Sequence, residues 1–232
     1  MLVMASPLLP QEGPSGPRFP EVGWVYNEST MARLAVGLGV SWLLVLPRVT
    51  SAQGCAEPHY RWSEKVDTAL ESRPATPALI SQILIGWAPR SLTSRDACAP
   101  RAGREDSVVV VTGWVRRMRL HESDGDWHIE LTEAATTPVT SCIIAEIPAE
   151  AYGVIYGRAR GALAALVDTT QLSPSGDVDL PVRVQLTGAA FYDGYHRKQP
   201  TGARSAYPLQ HGRCNSSLSA LWEVHPVYQV NP

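Results

Sequence analysis

Apolar and polar positions alternate through the second half of the chain in a way that predicts a series of β-strands. The segment VVVVTGWVRRMRL, at 108–120, is β-branched and apolar at first and alternates later, as a long strand does. After a turn at Asp124 and Gly125, DWHIEL at 126–131 places its Trp, Ile and Leu on one face and its Asp, His and Glu on the other. This is the pattern of a half-buried strand with a polar outer face. A third strand, TSCIIAEIP at 140–148, follows a turn that contains proline.

A helix and two more strands complete this part of the pattern. Helical spacing covers 149–168, where the apolar positions are Tyr152, Ile155, Ala159, Leu163 and Leu166. LPVRVQLTGAAFYD at 180–193 and ALWEVHPVYQV at 220–230 predict the two strands. Three strands, a helix and two strands is the order of the OB-fold, a five-stranded, partly open barrel. We therefore expect a mainly β protein with an OB-fold-like five-stranded barrel (β-β-β-α-β-β) over residues 107–232.

Residues 53–106 predict an irregular, partly helical N-terminal extension to the barrel. HYRWSEKVD, at 59–67, fits an extended segment. TPALISQILIGW, at 76–87, has apolar residues suited to a helix that begins after a cap at Thr76.

The segment at 31–52 has the three-part layout of a secretory signal peptide. A basic start at Arg33 is followed by an apolar run at 34–46 and by small residues up to Ala52. The run is shorter than the roughly 20 residues that cross a bilayer, so we expect no membrane span in the mature protein. Residues 1–30 are interpreted as a non-native or untranslated leader before a start at Met31, and the product as periplasmic or secreted. A lipoprotein anchored at Cys55 is the alternative.

Charge and cysteine content narrow the possibilities further. The 20 basic and 22 acidic residues nearly balance, which argues against a general electrostatic attraction to nucleic acid or anionic lipid. We also expect the protein to be a monomer. Four cysteines in an exported chain favour two disulfides. Of the three pairings we favour Cys55 with Cys98, which would fasten the N-terminal extension, and Cys142 with Cys214, which would tie a long loop to a strand. A zinc site is the alternative, although no pair has CxxC spacing.

Two short motifs, Asp126-x-His128 and Glu223-x-His225, each place a carboxylate and an imidazole on the same face of a predicted strand. Such residues can converge on one divalent metal ion. If the strands lie close together, Glu122, Asp124 and Glu146 could join the cluster. The same residues also fit an ordinary hairpin turn and exposed strand positions, with no ligand.

The long loop before the last strand gathers basic and aromatic residues suited to an anionic ligand. They are Tyr195, His196, Arg197, Lys198, Arg204, His211 and Arg213. A solvated polar loop with no ligand explains the same composition.

Five motifs together resemble a family of uncharacterised bacterial secreted proteins. They are RW-x-x-K at 61–65, E-x-DGDWH at 122–128, CIIAEIP at 142–148, TGAAFYD at 187–193 and WEVHPV at 222–227. Members carry E-x-D-x-D-[YW]-H, M-I-x-E-x-P, G-x-x-F-[FY]-D and a terminal E-[LV]-HPV. The resemblance implies an OB-like barrel and export, and it brings no known reaction. The loop at 194–218 is longer than the compact loop of many relatives.

Two functions fit these observations. The first is an exported binding module for an anionic ligand or polymer, either nucleic acid or saccharide. The second is a metal-dependent hydrolase, of phosphodiesterase or nuclease type, that uses the two carboxylate–histidine motifs. No nucleophile elbow, phosphate-binding glycine loop or HExxH motif occurs in the chain.

We expect the exported protein to begin at Gln53, because signal peptidases cut after small residues such as Ala52. N-terminal sequencing and intact mass of the protein recovered outside the cytoplasm measure this directly. Retention of residues 1–30 in that product would contradict the expectation.

Overall fold

The computed structural model describes residues 55–197 and 211–232, within one compact unit that spans Thr50–Pro232. The predicted leader and signal peptide, together with Lys198 and Arg204 of the long loop, lie outside the described residues. The helices and strands are α1 (Trp62–Lys65), β1 (Ala75–Ala78), α2 (Ile80–Gly86), β2 (Val108–Arg119), β3 (Trp127–Thr132), β4 (Cys142–Ile147), α3 (Val154–Leu166), β5 (Asp177–Tyr192) and β6 (Trp222–Asn231). Short 3₁₀ helices lie at Gly103–Asp106, Glu150–Tyr152, Gly194–His196 and Leu218–Leu221.

The six strands form one mixed sheet, which confirms the prediction of a mainly β protein. Strand β2 is antiparallel to both β3 and β5, β3 is antiparallel to β4, and β5 is antiparallel to β6. Strand β4 is parallel to β6, and β1 adds to β2 in parallel. Each strand from β2 to β6 therefore has two partners among these five, and the pairings lead back to β2.

Alternation along the strands divides the buried residues between two sides. The main core contains Ile143, Ala145 and Ile147 of β4, and a smaller cluster contains Cys142, Ile144, Cys214 and Ala220. Because successive side chains of a strand point to opposite faces, β4 is buried on both sides. The main core thus covers one face of β4, and the smaller cluster covers the other.

Helix α3 packs on the main core through the residues that the apolar spacing indicated. Ile155, Ala159 and Leu163 are buried. The helix begins at Val154 instead of 149, and Tyr152 lies in the preceding 3₁₀ turn with 45 % of its surface exposed. The existence of the helix was thus predictable, while its first turn was not.

Two expectations for the N-terminal extension are wrong. Residues 62–65 form the helical turn α1, where an extended segment was expected. Thr76 does not cap a helix; it lies in β1, beside Val109 of β2. Residues 75–78 pair with 108–111 of β2 instead, so the helix begins only after this strand. Helix α2 begins at Ile80.

The structure contains two disulfides, Cys55–Cys98 and Cys142–Cys214, which is the pairing favoured from the sequence. The second joins the first residue of β4 to the segment that leads into β6. Among the residues that the structure describes, no helix has the length and apolar character needed to cross a membrane.

Replacing both Cys142 and Cys214 by Ala is expected to lower the free energy of unfolding by roughly 2–5 kcal/mol. The bond closes a loop of 72 residues, and both cysteines are buried. Urea denaturation measures the change. The matched control is Cys55→Ala/Cys98→Ala, which opens a shorter loop of 43 residues next to the described N-terminus and should cost less. An unchanged unfolding midpoint in the first variant would count against a stabilising role for this bond.

Candidate functional site

The polar face of β3 is buried, which corrects the expectation that it faces solvent. Asp126, just before the strand, and His128 and Glu130 within it are at most 3 % exposed. The segment that precedes β6 covers them. The backbone N–H and the Nε of Arg213 donate hydrogen bonds of 2.9 and 2.6 Å to the Glu130 carboxylate. This face is therefore a buried polar layer on the side opposite the main core.

Strand β4 lies between the two predicted motifs and connects them through Glu146. The strand register sets His128 of β3 opposite Glu146. It also sets Ile144, two residues earlier on the same face of β4, beside Glu223 of β6. As a result His128 Nδ1 lies 2.9 Å from Glu146 Oε1, and His225 Nδ1 lies 2.9 Å from Glu146 Oε2.

The two motifs therefore belong to one cluster. His225 Nε2 lies 3.1 Å from Asp126 Oδ2, and its Nδ1 lies 3.4 Å from Glu223 Oε2. The four predicted metal ligands do not surround one point, however. In the described part of the chain, the groups with ligand-like spacing around Glu146 are His128–Glu146–His211 and Asp126–Glu146–His225, each with its ligand atoms within 4.8 Å of one another.

His211 reaches the same cluster from the loop before β6. Its Nδ1 lies 2.5 Å from Glu223 Oε1, and its Nε2 lies 3.9 Å from Glu146 Oε1. Its ring stacks on His196, with the centroids 4.0 Å apart and the planes 15° apart. These two histidines were predicted to bind an anionic ligand, and the structure places them next to the carboxylates of the cluster.

Lys65 and Asp193 are two site residues that the sequence analysis did not select. Lys65 Nζ lies 3.8 Å from Glu146 Oε2 and 3.6 Å from Asp193 Oδ2. Asp193, His196 and His211 form a third group with ligand-like spacing. The signal for both missed residues was their place in the RW-x-x-K and TGAAFYD motifs.

Gly212 is required at the turn that holds His211 in place. Its φ of +57° is one that side-chain-bearing residues rarely adopt. A Cβ at this position would meet Glu130 Oε1 at 2.4 Å and His128 Nε2 at 3.1 Å. The turn can therefore lie against β3 only with a glycine there.

The cluster forms the floor of a cleft with a volume of about 520 Å³. Its walls come from the β2–β3 loop, the described ends of the β5–β6 loop and the N-terminal extension. The residues that line the cleft include Lys65, Arg119, His128, Glu146, Tyr195 and His211. The β2–β3 loop contributes Glu122 and Asp124 to the wall, and neither belongs to a group with ligand-like spacing.

The described arginines of the predicted anion-binding loop are already engaged within the chain. Arg197 Nη1 donates to the carbonyl of Arg90 at 2.8 Å. Arg213 pairs with Glu130 and with Asp177. Tyr195, with 56 % of its surface exposed, and the two stacked histidines are the members of that set which line the cleft.

Neighbouring charges shift the pKa values of the cluster. Burial disfavours a charged imidazole, but Glu223 outweighs it and raises the pKa of His211 to about 9. Burial would raise the pKa of Glu146, but Lys65 and then His225 hold it well below its usual value. The pKa of His225 is raised well above its usual value, since Glu146 and the other carboxylates overcome desolvation. Glu146 is thus ionised, which is the state that binds cations, whereas His211 and His225 hold protons that have to leave before either ring can bind a cation.

Several buried polar atoms of the cluster have no hydrogen-bond partner within the described ranges. They are Oδ1 of Asp126 and Nε2 of His128, and also Oδ2 of Asp126 and Nε2 of His225, which lie 3.1 Å apart without the alignment of a hydrogen bond. Buried polar atoms are nearly always hydrogen-bonded in proteins. This cluster therefore has the ligand atoms and the unmet bonding capacity to hold a cation.

No protein-family model, curated protein or solved structure matches the chain. What the site can do therefore follows from its own residues. Histidine nitrogens and carboxylate oxygens are the usual ligands of zinc and similar divalent ions.

Replacing Gly212 by Ala is expected to destabilise the protein by about 1–3 kcal/mol, because the side chain would occupy a left-handed conformation and overlap the Glu130 carboxylate. Thermal unfolding measures the loss. Gly161→Ala on α3 is the matched control: a Cβ there meets nothing within 4 Å, and alanine favours a helix by about 1 kcal/mol. If both variants were equally stable, the close packing of the turn on β3 would be refuted.

Proposed function

We propose that this chain is an exported hydrolase that binds a divalent metal ion at His128, Glu146 and His211 and cleaves phosphodiesters. The observation that carries the proposal is the meeting of these three side chains, all buried, at the floor of the cleft. Two histidines and one carboxylate make up a known ligand set of catalytic zinc, which leaves a fourth position for water.

We also propose that the sheet is an OB-fold-like barrel. Support comes from the circular pairing of β2 to β6, the parallel pair β4–β6 and the position of α3 between β4 and β5. OB-folds bind their ligands on the face of the second and third strands, between the first and fourth connecting loops. The cleft has the corresponding position, since the β2–β3 and β5–β6 loops line it.

Export and family membership belong to the same proposal. Two disulfides favour an oxidising compartment outside the cytoplasm. The motifs shared with the family of bacterial secreted proteins contribute Lys65, His128, Glu146, Asp193 and His225 to the cluster. That all five motifs supply buried residues to one region supports a common function for the family.

The chain supplies charge for a phosphate as well as ligands for an ion. A bound divalent ion lowers the pKa of its water and provides a nucleophile near neutral pH. Lys65 lines the cleft, paired with Glu146 and Asp193, and Arg119 lies at the rim, paired with Glu122 and with 48 % of its side chain exposed. Cations in these positions can orient a phosphodiester and stabilise the charge that develops on its oxygens.

A binding module for an anionic ligand or polymer is the second candidate. Tyr60 and Tyr195 favour it, because their rings lie 5.8 Å apart and both residues line the cleft. Aromatic side chains beside cations are typical of sites that bind single-stranded nucleic acid. The engagement of Arg197 and Arg213 within the chain weighs against it, and for this reason the metal site is preferred.

The test is His211→Gln in the mature protein, assayed with bis(p-nitrophenyl) phosphate and a single-stranded oligonucleotide in the presence of zinc or manganese. Loss of a ligand should lower metal affinity and turnover by about 100-fold or more, since even outer-shell changes cost 10–100-fold. His121→Gln, an exposed histidine of the β2–β3 loop, should leave both unchanged.

Other outcomes separate the two candidates. Tight oligonucleotide binding without turnover in any metal would reject the hydrolase and favour the binding module. Turnover that survives chelation of all divalent ions would reject the metal site.

A further inference from the structure

We propose that the site holds a second divalent cation, bound by Asp126, Glu146 and His225 in the interior and joined to the cleft ion through Glu146. This inference rests on the proposed function and makes the centre a carboxylate-bridged metal pair. Pairs of that kind, roughly 3.5–4 Å apart, occur in phosphatases and nucleases, where they stabilise both the attacking and the leaving oxygen.

The three side chains have suitable positions and are shielded from water. Their ligand atoms lie within 4.8 Å of one another, and each residue is at most 4 % exposed. Ligands of one ion at roughly 2.0–2.2 Å from it are at most about 4.4 Å apart. An ion would therefore need only a small inward movement of these side chains.

The bonding of Asp126 is the strongest argument for an ion at this place. Asp126 is 0 % exposed, and its Oδ1 has no hydrogen-bond partner in the part of the chain that the structure describes. Its Oδ2 lies 3.1 Å from His225 Nε2, an ion pair that lacks the alignment of a hydrogen bond. A buried carboxylate that lacks well-aligned hydrogen bonds is costly. One divalent cation between these atoms would satisfy them together.

Glu146 is placed to serve both ions with one oxygen each. Its Oε1 faces the cleft group, 2.9 Å from His128 and 3.9 Å from His211. Its Oε2 faces the interior group, 2.9 Å from His225 Nδ1, whereas Asp126 lies beside Nε2 of the same ring. The central position of β4 between β3 and β6 produces this arrangement, since it directs one carboxylate at residues of both neighbouring strands.

The charges of the region are consistent with two ions. Four buried carboxylates belong to the cluster, those of Asp126, Glu146, Asp193 and Glu223, and Lys65 lies within 4 Å of two of them, Glu146 and Asp193. Two dications with a hydroxide between them, together with Lys65, would leave these groups neutral overall when the histidines are neutral ligands. A neutral ensemble lowers the cost of burying so many ionisable groups.

Metal stoichiometry tests the inference. The mature protein and its variants are loaded with zinc, passed through a desalting column and analysed by inductively coupled plasma mass spectrometry. We expect two ions in the wild type, one in Asp126→Asn, one in His128→Gln and none in Glu146→Gln. Asp179→Asn, which alters an exposed carboxylate of β5 outside the ligand groups, should retain two.

The outcomes distinguish the interior site from the cleft site. In one outcome the wild type binds a single ion, which is lost in His128→Gln and kept in Asp126→Asn. That result would overturn the interior site and leave the proposed function standing. An ion lost in Asp126→Asn and kept in His128→Gln would support the interior site and reject the cleft site. No bound ion in the wild type would overturn both.

Should Asp126→Asn fail to fold, the wild type decides the matter by electron paramagnetic resonance after loading with manganese. A carboxylate-bridged pair gives a spin-coupled spectrum. The six-line spectrum of isolated Mn²⁺ would overturn the inference.

Discussion

The parallel pairing of β4 with β6 is the constraint on which the rest of the site depends. Two carboxylate–histidine motifs that lie about a hundred residues apart along the chain come together because β4 separates their strands by one position. Glu146 then lies between them. A parallel neighbour cannot be reached by a short hairpin, so the connection between β4 and β6 has to pass through α3 and β5. The topology of the sheet therefore determines which ionisable side chains meet at the site.

Burial of so many ionisable groups requires a cover that is firmly attached. The turn from His211 to Cys214 supplies part of it, through the Arg213–Glu130 ion pair and the bond of Cys214 to Cys142. Cys142 and Glu146 lie on the same face of β4, because side chains four residues apart on a strand point the same way. The disulfide therefore links the loop that carries His211 to the strand that carries Glu146.

The sequence allowed the mainly β class, the positions of β2 to β6 and α3 to be predicted, because each rests on local periodicity, but it did not predict β1. The cysteine count favoured two disulfides, and the pairing was chosen among three from the segments that each bond would join. The sequence did not predict that His128 and Glu130 are buried. Alternation identifies two faces of a strand, but the cover over one of them comes from residues more than 80 positions away. Glu146 was noticed only as a possible neighbour, since its role depends on which strands are adjacent. The prediction of a cap at Thr76 was wrong because residues 75–78 pair with β2, a contact between distant parts of the chain that a local capping signal does not report.

Arg197 and Arg213 show why a polar loop is a poor guide to ligand binding. Each has the charge that an anionic ligand would attract, yet one donates to a backbone carbonyl and the other forms ion pairs with two carboxylates within the chain. An arginine in such an arrangement would have to give up its partners in order to bind a ligand, and a carboxylate left buried alone is costly. Asp126 Oδ1 and His128 Nε2 have no partner among the described residues, so a cation that binds these two atoms breaks no existing contact of theirs. The balance between satisfied and unsatisfied polar groups therefore favours a cation at the cluster over an anion at the loop, although the loop has more positive charge.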